Sequence, residues 1–286
     1  MKAEAYIKSK QKNFALNKHI ELRSRKMNKG AKLYTAELND NLFKHLPDEV
    51  EKQFNQADGN ELTISCNGDL PKIQAVHSSS ALVVNIFSYW LENPGAIAVA
   101  CKLSSPKNKH ILTMRFEAKI PIREDFKRTP NIDVLFEVQG NKKFQAFAVE
   151  SKFLEPFSGR TNKSLNPVYL NDGELWVGLP NLRKLGTLLS SGNQEFRYLD
   201  AVQLIKHVLC LNRAYKKRFK LLYLYYQVQC EEDTNHLAEI NKFNTILEKD
   251  QVEFRWLSYQ KLIDNLANKH RVNHQEYIRY ITTRYF

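Results

Sequence analysis

The apolar positions change their period several times along the chain. From Thr35 to Phe54, Leu38, Leu42, Leu46 and Val50 fall four apart, which predicts helix divided by Pro47. Pro47 suits the start of a second short helix whose opening turn carries Asp48 and Glu49. Between two turn signals, Ala57-Asp58-Gly59-Asn60 and Asn67-Gly68, the run Glu61 to Cys66 reads as a short strand. Ser78-Ser79-Ser80 then offers an N-cap to Leu82, Val83, Ile86, Phe87, Trp90 and Leu91 at helical spacing, with Pro94-Gly95 as the stop. The apolar face is broad, so this helix is expected to lie against a sheet.

Strand patterns follow. Ile111 to Ile120 ends at Pro121, Ile132 to Val138 lies between Pro130 and Gly140-Asn141, and Phe144 to Phe153 ends at Glu155-Pro156. The short loop from Gln139 to Lys143 predicts an antiparallel hairpin. Residues 156 to about 198 hold Gly159, Pro167, Gly173, Gly178, Pro180, Gly186 and Gly192, a turn-rich insertion with one helix near Pro180 to Ser190. Leu199 to Arg218 reads as a long helix striped by Leu204, Ile205, Val208, Leu209 and Leu211, and closed by cations. Phe219 to Val228 is apolar without alternation, as in a strand buried on both faces. Asp233 to Lys249 reads as helix, Val252 to Leu257 as strand, and the remainder as helix. The order α, β, β, β, α, β, α, β, α predicts the α/β class, with a mixed central sheet flanked by helices. One compact domain is expected: an extension over 1–76, a core over 77–260 with its insertion at 156–199, and a helical segment over 261–286.

Composition agrees with a chain of 286 residues that buries a core: 43% hydrophobic, 11% aromatic, with 10 Gly and 9 Pro. Charge adds more. Lys and Arg number 43 against 31 Asp and Glu, a formal +12, which favours a polyanionic partner such as nucleic acid. Cations crowd the first 30 residues (Lys2, Lys8, Lys10, Lys12, Lys18, Arg23, Arg25, Lys26, Lys29), where apolar residues are sparse until Leu22. That stretch reads as an arm or loosely docked helix able to track phosphates, or as a solvated tail. The lysine-rich start lacks the apolar stretch of a secretory signal, and no run of 18 apolar residues exists, so a cytoplasmic location is expected. Cys66, Cys101, Cys210 and Cys230 are scattered without CxxC pairing, as free thiols. His270 and His274 share zinc-ligand spacing but have no nearby acidic or cysteine partner. No GxxxxGK[ST], GxGxxG or GxSxG occurs, so no nucleotide cofactor is expected.

The segment that carries chemistry is Pro130-Asn131-Ile132-Asp133 followed by Val149-Glu150-Ser151-Lys152. Residues two apart on a strand share a face, so Glu150 and Lys152 project together, and the hairpin brings Asp133 beside them. Two converging carboxylates repel unless a cation lies between them, and Mg²⁺ takes oxygen ligands. Lysine adds a positive charge, or a proton-handling amine, next to an attacking water. A solvated Glu-x-Lys strand face is the alternative, but these charges interrupt an apolar strand inside a sheet, where they are costly without a task.

These residues resemble the PD-(D/E)XK nuclease superfamily, whose restriction-endonuclease-like core runs αβββαβ. His77 to Phe87, Phe116-Glu117-Ala118-Lys119 and Glu150 to Pro156 are similar, more narrowly, to a bacterial group of restriction endonucleases within it. The first half departs from the shortest motif, because two residues separate Pro130 from Asp133. The resemblance implies a DNA endonuclease using Mg²⁺, with Mn²⁺ as a substitute. Asp133 and Glu150 would hold the metal and Lys152 would assist the nucleophilic water. Glu117, at the end of the first strand, and Glu61, ahead of the long helix, are further acids with a possible place in the site. Gln203 and Lys206 lie one turn apart on the later helix, as do polar residues used by some members. His207, beside the apolar stripe, reads better as a satisfied, partly buried histidine than as a general base. Double-stranded DNA and a homodimer are the partners implied. Two other readings stay open: a repair, recombination or mobile-element nuclease of this superfamily, and a DNA-binding protein on the scaffold without turnover.

Overall fold

Five strands carry these runs into one sheet. The computed structural model describes residues 2–26, 29–108, 110–123, 126, 129–159, 164–192 and 195–286. Parts of the predicted insertion (160–163 and 193–194) lie outside the described residues. In chain order the elements are α1 (Ala3–Asn17), β1 (Leu22–Lys26), β2 (Lys29–Thr35), α2 (Asp48–Gln56), α3 (Ser79–Phe87) and α4 (Pro94–Ala100). Then come β3 (Ile111–Lys119), β4 (Asn131–Gln139), β5 (Ala146–Lys152), α5 (Pro180–Ser190) and α6 (Ala201–Tyr215). The chain continues through β6 (Phe219–Tyr225), α7 (Glu231–Lys249), β7 (Glu253–Ser258), α8 (Tyr259–His270) and α9 (Gln275–Tyr285). The mixed α/β class is as expected.

The large sheet has the order β3-β4-β5-β6-β7. The first three strands are antiparallel, and β5-β6-β7 are parallel, joined by helical crossovers. The β4–β5 connection is the predicted hairpin: Gly140 takes φ 78, and Asn141 Oδ1 accepts from Lys143 N and Phe144 N. Helices bury both faces. α3, α4, α8 and α9 pack with Val134, Phe136, Phe147, Val149 and Leu222 on one side; α5, α6 and α7 pack with Leu135, Ala146, Ala148 and Leu221 on the other. Ser78 caps α3 by accepting from Ala81 N, as its serine run predicts. The apolar face of α3 meets β4 and β5, so Ser79 and Ser80 begin a helix anchored on the strands that carry the candidate site.

The chain differs from expectation in four places. Its basic start, read as an arm, a loosely docked helix or a solvated tail, is a helix, α1, firmly docked through Ala3, Ile7 and Phe14, and the β1–β2 hairpin that follows is unexpected. The predicted helix from Thr35 begins only at Asp48. Thr35 ends β2, Leu38–Asn41 makes one 3₁₀ turn, and Pro47 precedes α2 as its N-cap. The buried Asn41 amide, which donates to Ile73 O and Ala75 O, ties that turn to another segment and overrides the four-residue spacing. Glu61–Cys66 is irregular rather than strand, and a turn begins only at Cys66. Pro94 opens α4 beneath an Asn93 cap as well as closing the preceding turns.

Candidate active site

The site forms where β4 and β5 part. Their ladder runs from Glu137–Ala146 to Val134–Val149, and the next residues outward are Asp133 and Glu150. Beyond that point Asp133 Oδ2 accepts from Ser151 N at 2.6 Å instead of continuing the strand pairing. Alternation on β5 sends Ser151 to Tyr259 OH at 2.6 Å on one layer, while Glu150 and Lys152 face α6 on the other. The three residues predicted to converge are thus together.

Glu150 is 1% exposed and has two close neighbours. Lys152 Nζ lies 2.5 Å from Oε1, and His207 Nδ1 lies 3.2 Å from Oε2. Neither oxygen meets a donor with hydrogen-bond alignment. Burial raises the Glu150 carboxyl above its ordinary value, with Lys152 opposing. Burial and the charge of Glu150 push Asp133 well up. Burial alone would lower Lys152, yet Glu150, Glu155 and Asp133 around it hold the amine above its usual range.

Helix α6 supplies the opposite wall. Asp200 caps it by accepting from Gln203 N, and Gln203 Oε1 accepts from Lys152 Nζ at 2.8 Å. Gln203 therefore meets the site through the lysine. His207, one turn on, is fully buried, and burial followed by the Lys152 charge lowers it to about 3. Its Nδ1 has no hydrogen-bond donor, while the ring also bonds the Asn131 backbone. A neutral ring that donates to that carbonyl leaves Nδ1 and Glu150 Oε2 as two acceptors face to face, a contact that needs a proton or cation between them.

Glu117 comes from the sheet edge and Glu61 from the irregular segment after α2. The pairs Phe116–Val134 and Ala118–Ile132 place Glu117 opposite Asp133. Glu117 has φ 46, a left-handed backbone that is costly for a side chain with a Cβ. Strand alternation breaks there: Phe116 and Val134 belong to one hydrophobic layer, Ala118 and Ile132 to the other. Burial first, then Asp133, Glu61 and Glu150, raise the Glu117 carboxyl to about 8. Helix α2 covers this edge through Gln53 Oε1, which accepts from Phe116 N at 2.6 Å, and Asp58 pairs with Lys119 at 2.8 Å. The chain then delivers Glu61 to the rim, 3.5 Å from Lys72.

A cleft of about 470 Å³ opens here, lined by Glu61, Ser79, Glu117, Asp133, Gln203 and Lys206 among others. Glu150 and Lys152 lie behind its wall. Among the described residues no three His, Cys, Asp or Glu side chains already stand as a coordination sphere. Asp133 and Glu150 offer oxygen donors of the kind a hard cation takes, with Glu117 beside Asp133. Sequence reasoning passed over Asp200 and Glu155. Glu155 accepts from Phe153 N and Leu154 N, and although burial opposes it, Lys152 and Ser79 hold it below its ordinary value. An acidic residue just before the apolar stripe of α6 marks Asp200 as a cap; nothing in the linear pattern points Glu155 at Lys152.

Neither the curated proteins nor the solved structures give a match to this chain. A family model does, over residues 1–286, and its description is Restriction Endonuclease associating with ARP. With that match across its whole length, the chain belongs to this restriction-endonuclease family.

Proposed function

We propose that the chain is a divalent-metal-dependent endonuclease of the restriction type that hydrolyses phosphodiester bonds in double-stranded DNA. One observation carries this reading. Two carboxylates, Asp133 and Glu150, and one ammonium, Lys152, meet at a parting pair of strands in the wall of an open cleft in a strongly basic chain. Glu150 Oε2, which faces only the His207 ring, suits a cation, as does the crowding of Glu117, Asp133 and Glu150.

Asp133 and Glu150 would hold Mg²⁺, or Mn²⁺ in its place, with Glu117 as a third oxygen source. The metal, when bound, supplies Lewis-acid polarisation of the phosphate and a more acidic water. Lys152, held by Gln203, keeps a positive charge where the phosphorane-like transition state gathers negative charge. Gln203 fixes the lysine, and His207 backs Glu150 from the α6 side. We extend the proposal to a two-fold homodimer, the arrangement that matches a palindromic target, which sedimentation with and without DNA examines.

Plasmid cleavage tests the function. Nicking or linearisation with Mg²⁺ is expected, with none in EDTA and a loss of at least about a hundredfold in Asp133→Ala and Lys152→Ala. Cleavage that persists in either variant removes the site assignment. DNA binding without cleavage in Mg²⁺ or Mn²⁺ would identify a binding protein instead.

A further inference from the structure

The β1–β2 hairpin is built unlike the rest of the chain. Its two strands form a sheet of their own, apart from the main one. Its backbone is anchored along the edges, where Leu33 O accepts from Val76 N at 2.9 Å, Arg25 O accepts from Leu70 N at 3.0 Å and Tyr34 bridges Ala75, while the Arg25 side chain stays exposed. Outward from there burial stops. Arg25, Lys26, Lys29, Gly30, Ala31 and Lys32 are all exposed, so both faces of the ribbon stand in solvent.

A two-stranded ribbon with no apolar face is marginal by itself, and this one contributes no buried side chain beyond its base. It offers charge instead. Residues 25–32 contain four cations and no acid. Among the described residues, Arg25, Lys26, Lys29 and Lys32 form no ion pair, whereas Arg23 at the base is held by Glu21 at 3.0 Å.

Position connects the ribbon to the cleft. The segment bonded to it, residues 70–76, runs within a few residues into Ser79 and Ser80 on the cleft wall. Glu61 is electrostatically linked both to Tyr34 at the hairpin base and to Glu117 in the site.

We infer that the outer half of this hairpin is an arm that enters the major groove of duplex DNA beside the cleft, with Arg25, Lys26, Lys29 and Lys32 neutralising phosphates along its walls. The inference rests on the reading of the cleft as a DNA-cleaving site. Shape selects the duplex: a two-stranded ribbon fits the B-form major groove, roughly 12 Å wide, while the deep, narrow groove of A-form RNA excludes it. Residues 25–32 also include no aromatic ring on which unpaired bases would stack.

The test is binding of a fluorescent duplex of about 20 base pairs, read by anisotropy in Ca²⁺ over a salt series, in an Asp133→Ala chain that binds without cutting. In that background Arg25→Ala, Lys26→Ala, Lys29→Ala and Lys32→Ala are combined. A control replaces four exposed lysines on other elements, Lys184, Lys249, Lys261 and Lys269, by Ala. The hairpin variant is expected to bind roughly 10- to 100-fold more weakly near 0.1 M salt, with its log–log salt slope smaller by about three. The control should shift far less. Lys29→Glu with Lys32→Glu, an equal change of four charges, should weaken binding to a similar degree, with an unchanged thermal midpoint showing that the fold is intact. Equal losses in hairpin and control variants, or an unchanged salt slope, would overturn the arm while leaving the cleft assignment standing. A parent chain that binds no duplex at any salt removes both. Single strands or duplex RNA competing as well as duplex DNA would also overturn the groove assignment.

Discussion

At the scale of single residues, Glu117 is the position where local geometry and side-chain chemistry conflict most. Its left-handed backbone, φ 46, favours glycine, yet it presents a carboxyl opposite Asp133. Inside an ordinary strand, glycine is less stable than alanine by about 0.5–1 kcal/mol. At this position the order should reverse, so urea unfolding is expected to find Glu117→Gly at least as stable as Glu117→Ala. Alanine proving the more stable would show that the backbone relaxes when the carboxylate leaves. Gln203 allows a second check. Its amide oxygen, 2.8 Å from Lys152 Nζ, is the polar contact that ties the lysine to α6. Gln203→Ala is expected to slow DNA cleavage on the order of ten- to a hundredfold with little change in DNA affinity. A matched loss of affinity would place Gln203 in substrate binding instead. The triad was legible because turn signals and alternation set the β4–β5 hairpin and hence its register. Glu117 was legible as an acid near a strand end, but its reversed backbone was not, since φ leaves no trace in a pattern of polar and apolar letters.

Elements show where periodicity was enough and where it was not. Helices α3, α6 and α7 and the five strands of the large sheet follow the pattern closely, because each buries a continuous face and burial is what the pattern encodes. The β1–β2 hairpin did not show itself, because a ribbon solvated on both sides has no hydrophobic alternation to read. The stretch from Thr35 to Phe54 misled for the opposite reason. Its spaced leucines do reach the core, but through a 3₁₀ turn and a bend tied down by the buried Asn41. Helix α5 carries a test of packing against propensity. A methyl at Gly186 would stand 2.9 Å from the Trp176 ring and 3.1 Å from Leu165, both buried. Gly186→Ala is therefore expected to lower stability by about 1–3 kcal/mol, against the gain of up to about 1 kcal/mol that the change brings in an open helix. Thermal unfolding decides between them. The cap of α6 separates two roles in the same way. Asp200→Ala should cost about 1 kcal/mol, whereas Asp200→Asn keeps the cap and removes only the charge facing His207.

For the molecule as a whole, acid stability depends on opposed buried groups on α7. His236 bonds Tyr223 OH at 2.9 Å, and burial, then the Lys152 charge, lowers it from 6.5 to about 3. The unfolded chain takes up this proton below pH 6.5 while the folded chain does not, so stability falls as pH drops through that range. From pH 7 to pH 5 this costs about 2 kcal/mol. Asp233 works the other way. Burial raises it from 3.8 to about 6, so the folded chain binds this proton first and gains roughly 1 kcal/mol over the same interval. The change in stability from pH 7 to pH 5, read from urea midpoints, should therefore become more favourable by about 2 kcal/mol in His236→Gln and less favourable by roughly 1 kcal/mol in Asp233→Asn, each relative to the parent.

The guanidinium of Arg284 ties distant stretches of chain together. From α9 it reaches Asn41 O at 2.8 Å and Gln11 Oε1 at 3.2 Å, while Gln11 Nε2 donates back to the Arg284 backbone. The consequence is one of timing. On a ribosome, Gln11 and Asn41 emerge early, but the group that satisfies them is more than 240 residues behind. The docking of α1 against α9 must wait for it. Protease protection of α1 in arrested nascent chains should therefore arise only after α9 has left the exit tunnel.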